Sequence, residues 1–373
     1  MKLTFEVAAL ADSMNKAARI APTKAGSAFD KAAGIVISTN TQLLPGNDKE
    51  VAHVEIRATN LDVFYLEIVE AQEIEGDGEW RLSSIILSSI LSKLKIGTGK
   101  TVTLEDDGNE VVLKAGRVRA RLRKMDPRYF PSWEPFNPDL LEMVPDLGAR
   151  IQQADWAADK SAEPPLSGLH MDGEYIGATD RYRLCRVPCE AEPIYRPITV
   201  PAGIFSNLTH LKDVAVGLDG NQLFMMPDTM TQIRTSIFDV EYPDLQKAME
   251  KTPLPDSVKF KKEALLHMIE LAEVFGQKER IPRLTLFIGD EELAVMMSDR
   301  EEGLLGDVVE LPGQCPHDRV KIFFTPKNIK EALMAAPSEE VALFYDNNKP
   351  GKIRLDGGSG YEALVMPRRK TED

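Results

Sequence analysis

The stretch that decides the fold is Ile176-Gly177-Ala178-Thr179-Asp180-Arg181-Tyr182-Arg183-Leu184. It joins an apolar run and a small residue to a threonine, an acid and a second strand-like run. Related patterns occupy residues 56–62 and 294–299, and their equivalent positions Asn60, Asp180 and Asp299 stand 120 and 119 residues apart. A period of that length is the size of a whole small domain. The sequence therefore predicts three similar units.

Composition places the chain among soluble globular proteins. It has 373 residues, of which 43% are hydrophobic and 28% charged, and this length favours more than one core. No apolar run approaches the ~20 residues of a membrane span, and the start Met1-Lys2-Leu3-Thr4-Phe5 lacks a signal-peptide pattern. We expect a cytoplasmic protein with no membrane partner.

The formal net charge of −14 excludes a uniformly basic protein. It leaves open an acidic exterior with a locally basic inner surface, because local potential decides where a polyanion lies.

The cysteines give no sign of a metal centre. Cys185, Cys189 and Cys315, taken with His317, match no common zinc-ligand spacing. They are expected to be small buried hydrophobes, and no metal or cofactor is predicted.

Each predicted unit repeats the order strand, helix, strands, helix, strands. This order is typical of an α+β domain with two helices against an antiparallel sheet. Helices are expected at 8–20, 83–95, 146–158, 201–211, 262–275 and 327–335, and in the second of these Ile86, Ile90 and Leu94 are expected to face the core. The predicted domains are residues 1–135, 136–253 and 254–373.

Several short segments, in one common order, resemble the bacterial-type DNA polymerase III beta subunit, the sliding clamp, over nearly the whole chain. They are Met1-Lys2-Leu3-Thr4-Phe5, Ala58-Thr59-Asn60-Leu61-Asp62, Phe130-Pro131, Ala178-Thr179-Asp180-Arg181-Tyr182-Arg183-Leu184, Tyr242-Pro243-Asp244, and residues 361–369 with Val365-Met366-Pro367. The resemblance implies three clamp-type domains per chain and a head-to-tail homodimeric ring. It also implies a non-catalytic processivity factor that encircles double-stranded DNA without sequence preference, tethers the replicative polymerase and is opened by a clamp loader.

The resemblance also implies DNA-contacting residues. Lys24 and Lys160 match loop positions that contact DNA in the family. Weaker candidates, from helices expected to line the hole, are Lys16, Arg19, Arg150, His210, Lys212, Lys327 and Lys330. The alternative is that such cations only keep exposed helix faces solvated.

A groove that receives short linear peptides from polymerases, the loader and repair proteins is implied as well. The matching residues are Leu166, Thr179, Tyr182, Arg183, Leu184, Pro243, Ala248, Leu364, Val365, Met366, Pro367, Arg368 and Arg369. The alternative for the apolar members is a purely structural place in the core.

The chain departs from the family pattern at two places. Arg181-Tyr182 stand where the family usually has Gly-His, and Lys370-Thr371-Glu372-Asp373 continue past the usual end. We hypothesise that the groove prefers a different peptide and that the clamp serves a diverged or phage-encoded replication system.

Two other functions are open at this point. One is a clamp-like interaction or regulatory protein that binds polymerase or loader peptides without being loaded on DNA. The other is a hydrolase or nuclease that uses His170, His210, His267 or His317, although the sequence contains no hydrolase, zinc-protease or P-loop motif.

Overall fold

The structure is a computed structural model that describes residues 1–22, 32–43, 50–97, 100–132, 138–203, 213–250, 254–274, 284–289, 292–299, 303–310, 320–349 and 351–368. By its internal contacts the chain divides into two compact units. The first is Met1–Pro145 with Asp213–Ile237, and the second is Asp146–Lys212 with Phe238–Asp373.

The elements up to residue 145 are mostly strands. They are β1 (Lys2–Glu6), α1 (Val7–Ile20), β2 (Ile35–Leu43), β3 (Glu50–Thr59), β4 (Val63–Val69), β5 (Glu73–Glu75), β6 (Glu79–Leu82), α2 (Ser84–Gly97), β7 (Thr101–Asp107), β8 (Glu110–Ala115), β9 (Val118–Arg123), 3-10 turns at Pro127–Tyr129 and Pro138–Leu140, and β10 (Glu142–Val144).

The remaining elements follow the same mixture. They are α3 (Leu147–Asp155), β11 (Gly168–Met171), β12 (Tyr175–Thr179), β13 (Arg183–Pro188), β14 (Ile198–Pro201), β15 (Val214–Asp219), β16 (Gln222–Asp228), β17 (Thr231–Ser236), α4 (Leu245–Glu250), β18 (Asp256–Lys261), α5 (Lys262–Glu273), β19 (Leu284–Ile288), β20 (Glu292–Asp299), β21 (Gly303–Glu310), β22 (Val320–Phe324), α6 (Pro326–Ala335), β23 (Glu340–Tyr345), β24 (Ile353–Asp356) and β25 (Glu362–Val365).

The first unit holds two antiparallel sheets. One has five strands in the order β5-β1-β7-β8-β9, and the other has eight in the order β10-β15-β16-β17-β4-β3-β2-β6. Helices α1 and α2 pack against each other. Leu10, Met14 and Ala17 of α1 are fully buried, because their spacing puts them on one helix face.

The predicted apolar face of α2 was wrong in part. Ile86 is 54% exposed, whereas Leu87, Leu91 and Leu94 form the buried stripe. Both sets have helical spacing, and nearly every residue of the first turn is apolar, so periodicity alone did not select the face. The packing against α1 selects it.

The second unit also holds two antiparallel sheets. Their orders are β14-β11-β12-β13-β25-β24-β23-β18 and β21-β20-β19-β22. Helix α3 packs on β12 and β13, and α6 packs on α5 and β25. The predicted α+β class with antiparallel sheets is confirmed.

One local prediction was wrong, one short helix was not predicted, and one predicted helix lies mostly outside the described residues. The predicted hairpin over residues 101–122 is a run of three strands, because a second turn at Gly116, with φ +56°, separates β8 from β9. The short helix α4 was missed. The predicted helix 201–211 lies mostly outside the described residues, and its first residue, Pro201, ends strand β14.

Both eight-stranded sheets run through predicted domain boundaries. In one, β17 pairs with β4, and in the other, β13 pairs with β25. This continuity explains why contacts divide the chain into two units although the motif recurs three times. The three-domain division stays a prediction.

No helix in the described ranges is both long and apolar enough to cross a membrane.

Candidate functional site

The repeated motif forms the same turn in its first two copies. In the deciding stretch, Thr179 Oγ1 donates to the Arg183 carbonyl at 2.7 Å, and Asp180 Oδ1 accepts from the Arg183 backbone N–H at 2.8 Å. The third position of the turn, Arg181, has a φ of +77°. A threonine followed by Asp or Asn therefore serves the turn itself, because the two side chains supply hydrogen-bond partners for backbone groups of the turn.

The first copy repeats these contacts atom for atom. Thr59 Oγ1 donates to the Val63 carbonyl at 2.7 Å, Asn60 Oδ1 accepts from the Val63 N–H at 2.8 Å, and Leu61 has a φ of +82°. The two turns close the hairpins β3–β4 and β12–β13. In the third copy, residues 300–302 lie outside the described chain.

Tyr242 ties the segment after β17 to the end of β12. Its hydroxyl accepts from the Thr179 backbone N–H at 3.0 Å and donates to the Gly168 carbonyl at 3.3 Å. The register of β11 with β12 pairs His170 with Gly177, so Gly168 and Thr179 stand opposite each other two positions further along the two strands. The hydroxyl bridges that pair, and the tyrosine ring stacks on His170 at 4.7 Å between centroids. Burial raises the pKa of Tyr242, so the bridge stays neutral.

Two segments of similar sequence, Tyr129-Phe130-Pro131 and Tyr242-Pro243-Asp244, differ in their surroundings. Tyr129 is 63% exposed, whereas Tyr242 is largely buried. The neighbouring Phe130 instead lies under the Arg81 guanidinium, 5.6 Å from the ring centroid.

A cavity of about 400 Å³ opens beside the Tyr242 segment, entirely within the second unit. Its floor is formed by Leu184, Leu245 and Leu364, which pack with Met249 in a small apolar cluster. Leu184 and Leu364 are register partners on β13 and β25. Its full lining is Pro165, Leu166, Thr179, Arg181, Arg183, Leu184, Pro243, Leu245, Ala248, Lys352, Leu364 and Met366. An open apolar cavity of this size suits one or two large apolar side chains of a ligand.

Gly177 leaves room for helix α4 to pack against strand β12. A Cβ at this position would lie 2.3 Å from Leu245 Cδ1 and 2.8 Å from the Cys185 carbonyl oxygen. The absent side chain lets α4 approach β12, which places Leu245 and Ala248 at the cavity.

Three cations line the cavity, and they differ in how far they are neutralised. Arg183, 9% exposed, donates to Asp180 at 2.9 Å, pairs with Glu331, and lies 5.4 Å from the Trp156 ring centroid. For Arg181 and Lys352 no carboxylate within the described residues lies at ion-pair distance. Burial lowers the pKa of Lys352.

The cavity gathers eight of the thirteen residues predicted for a peptide groove. They are Leu166, Thr179, Arg183, Leu184, Pro243, Ala248, Leu364 and Met366. Four others lie outside its lining: Tyr182 is 67% exposed, Val365 is fully buried in the sheet, and Pro367 and Arg368 follow β25. Arg369 lies outside the described residues. The binding role of the whole set stays a prediction.

Sequence reasoning missed four lining residues, namely Pro165, Arg181, Leu245 and Lys352. Pro165 and Leu245 are chain neighbours of predicted residues, and Arg181 was noticed only as a departure from the family pattern. Nothing in the sequence around Lys352 indicated that β24 would bring it here.

Four of the predicted DNA-contacting lysines have acidic partners. Lys16 contacts Glu67 at 2.8 Å, and Lys160 contacts Asp155 at 2.5 Å. Lys330 contacts Glu273 at 2.9 Å and Glu270 at 3.3 Å, and Lys327 lies 3.8 Å from Glu331. These pairs reduce the positive potential at each lysine.

Of the other predicted DNA-contacting residues, two arginines are described. Arg19 is exposed at the end of α1, and Arg150 is half-buried on α3. Lys24, His210 and Lys212 lie outside the described residues.

The cysteines and histidines do not assemble a reactive centre in the described ranges. Cys185 and Cys189 are buried free thiols. Burial raises both pKa values, that of Cys189 to about 11, although the nearby charge of Arg150 opposes the shift there. Among the described residues no three metal-ligating side chains cluster. His267 is exposed on α5 and His170 stacks on Tyr242, while Cys315, His317 and His210 lie outside the description.

Comparisons with known proteins identify the fold. No protein-family model and no curated protein sequence matches the chain. Solved structures do match it over nearly full length. The DNA polymerase III beta subunit of Thermotoga maritima is 19% identical with a TM-score of 0.76, over 99% of this chain and 100% of that one.

Two further clamps agree. The DNA polymerase sliding clamp of Bacillus subtilis is 18% identical, with a TM-score of 0.74 over 100% of both chains. The beta clamp of Helicobacter pylori, solved bound to a DNA ligase peptide, is 16% identical, with a TM-score of 0.72 over 99% of this chain and 100% of that one. The chain therefore has the fold of DNA polymerase III beta subunits, as its sequence motifs predicted.

Proposed function

We propose that this protein is a DNA sliding clamp. It would encircle duplex DNA as a homodimeric ring of six domains, perform no chemistry itself, and tether a replicative polymerase and other DNA-processing proteins. A clamp loader would open and close the ring.

The observation that carries this proposal is the match in fold over the whole chain. The match covers 100% of the Thermotoga maritima beta subunit and 99% of this chain. Encirclement also accommodates the net charge of −14, because a topologically linked protein needs only weak contacts to phosphate.

Ring closure needs complementary surfaces at the two ends of the chain's fold. Among the described strands, β9 is an edge of the five-stranded sheet and β21 is an edge of the four-stranded sheet. Open edges can pair between copies, and a head-to-tail pairing closes into a ring when the rotation allows it. Light scattering should give a mass near twice the 41.5 kDa of one chain.

The decisive experiment is retention on circular DNA. The protein is loaded on, or allowed to thread onto, nicked circular plasmid, and the complex is isolated by gel filtration before and after a single cut linearises the plasmid. Release only after the cut supports encirclement. Blocking both ends of the linear DNA with bound streptavidin should restore retention. Equal release from circular and linear DNA at moderate salt would refute the proposal.

The predicted DNA contacts can be tested in the same assay. Replacing Lys16 or Lys160 with Gln should weaken residual binding to linear DNA and lower the salt slope of that binding by about one each. Lys114→Gln is the matched control, because Lys114 also pairs with an acid, Glu105, but lies on β8. An unchanged slope in both test variants would remove these residues from the DNA-facing surface.

A clamp-like regulatory protein is the second candidate. The observation that favours it is that Lys16, Lys160, Lys327 and Lys330 each have an acidic partner. Such a protein would keep the peptide groove but would not be loaded on DNA. A monomer at micromolar concentration that binds clamp-directed peptides and is never retained on circular DNA would favour this candidate.

A further inference from the structure

The cavity between β13, β25 and α4 combines an apolar floor with cations that lack described acidic partners. Its floor is Leu184, Leu245 and Leu364, and its rim carries Arg181 and Lys352. We infer that the cavity selects peptides in which an apolar anchoring side chain is flanked by Asp or Glu, with Arg181 and Lys352 receiving the carboxylate. The inference rests on the proposed peptide-binding role and specifies its ligand.

The first support is the contrast among the three lining cations. Arg183 is neutralised by Asp180 and Glu331, so it is a structural part of the wall. Neither Arg181 nor Lys352 has a described carboxylate at ion-pair distance. A cation beside an apolar surface is stabilised when an anion arrives with the ligand.

The second support is the burial of Lys352. It follows Gly351 directly before β24, and only part of its surface reaches solvent. Its pKa is lowered by burial, with no opposing contribution from an acid. A carboxylate bound beside Lys352 would favour the charged lysine and so oppose the lowering of its pKa by burial. Salt would screen this ion pair less than it screens a fully exposed pair.

The third support is the backbone of Arg181. Its φ of +77° is a conformation in which glycine is favoured, and the uncharged Leu61 adopts the same conformation, with φ +82°, at the equivalent position of the first copy. Its side chain is exposed at the cavity rim. The turn itself therefore does not require a positive charge at this position, and the charge lies where a ligand in the cavity can meet it.

The test uses two fluorescein-labelled peptides of one shape, Ser-Asp-Leu-Asp-Leu-Phe and Ser-Asn-Leu-Asn-Leu-Phe, with fluorescence anisotropy on the full-length protein. We expect the acidic peptide to bind about tenfold more tightly than the amide peptide at low salt. This factor lies between the effect expected of an exposed ion pair and that of a buried charge-assisted hydrogen bond. The ratio should shrink as salt is raised, because the Arg181 contribution is exposed.

Two variants should reduce the ratio. Arg181→Gly removes one charge and suits the turn, and Lys352→Met removes the other while keeping an apolar stem. Each should lower the preference for the acidic peptide over the amide peptide about threefold, as expected for one partly exposed pair. Lys349→Gln is the control, because Lys349 is an exposed lysine nearby that does not line the cavity.

The outcomes separate the two claims. Equal binding of both peptides by the wild type would overturn the acid preference while leaving the groove intact. If neither peptide binds, the acid preference and the groove both fail, and retention on circular DNA decides independently whether the ring function stands. A preference that persists in the double variant Arg181→Gly, Lys352→Met would assign the acid selectivity to other residues and overturn the inference.

Discussion

The hydroxyl of Tyr242 offers the sharpest test of how the cavity is held in place. Tyr242→Phe removes one atom that accepts from the Thr179 N–H and donates to the Gly168 carbonyl. Thr179 is 7% exposed, so water cannot readily replace the lost acceptor. Leaving a buried N–H without a partner costs about 1–3 kcal/mol.

The effect should be local and measurable as amide exchange. If the free energy of local opening at the end of β12 falls by about 1–3 kcal/mol, hydrogen exchange at the Thr179 amide should accelerate about 5- to 150-fold, because each 1.4 kcal/mol corresponds to a factor of ten. Exchange mass spectrometry on a peptide that covers β12 and its turn reports this amide. Peptides with apolar side chains that enter the cavity should also bind more weakly, because Pro243 and Leu245, one and three residues after Tyr242, line it.

Tyr195→Phe is the matched control. Tyr195 is 73% exposed in the same unit, so loss of its hydroxyl should change stability by less than about 0.5 kcal/mol. If the β12 peptide exchanges at the same rate in Tyr242→Phe, Tyr195→Phe and the wild type, the bridging role of the Tyr242 hydroxyl is refuted.

Three more perturbations have defined signs. Arg181→Gly should raise the free energy of unfolding by about 1 kcal/mol in urea titrations, because glycine adopts a positive φ without the penalty of a side chain; a loss of stability would contradict this account of the turn. Arg183→Met should lower the free energy of unfolding by about 2–3 kcal/mol, because it leaves Asp180 and Glu331 without their cation. The loss stays below that of a fully buried pair because the Glu331 side chain is 32% exposed. An unchanged free energy of unfolding would show that these two ion pairs do not stabilise the fold. For His170, burial lowers the pKa in the folded state, so the unfolded chain takes up the proton first as the pH falls below about 6.5. The melting temperature should therefore fall between pH 7.5 and pH 5.5, and this fall should be smaller in His170→Gln; equal falls would contradict the assignment.

Much of the fold could be predicted from the sequence because its signals are local. The alternation of apolar residues indicated most strands, and the helical spacing of Leu10, Met14 and Ala17 indicated α1. The repeated Thr-Asn and Thr-Asp pairs indicated a recurring unit, and both copies form the same turn because each turn is closed by the side chains of its own residues. Local chemistry of this kind does not depend on what the rest of the chain does.

Side-chain placement across distant segments could not be predicted in this way. Leu87 rather than Ile86 is buried because α2 packs on α1, and Lys352 reaches the cavity only because β24 pairs with β25, which pairs with β13. The acidic partners of Lys16 and Lys330 are 51 and 57 residues away along the chain. The sequence by itself thus determined the α+β class and the recurrence of the motif, because both depend on short-range pattern. Eight of the residues that line the cavity were named from the resemblance to the clamp family. Only the tertiary structure decided which cations are neutralised and which line the cavity without a carboxylate partner among the described residues. These outcomes depend on contacts between segments whose separation in sequence carries no periodic signal.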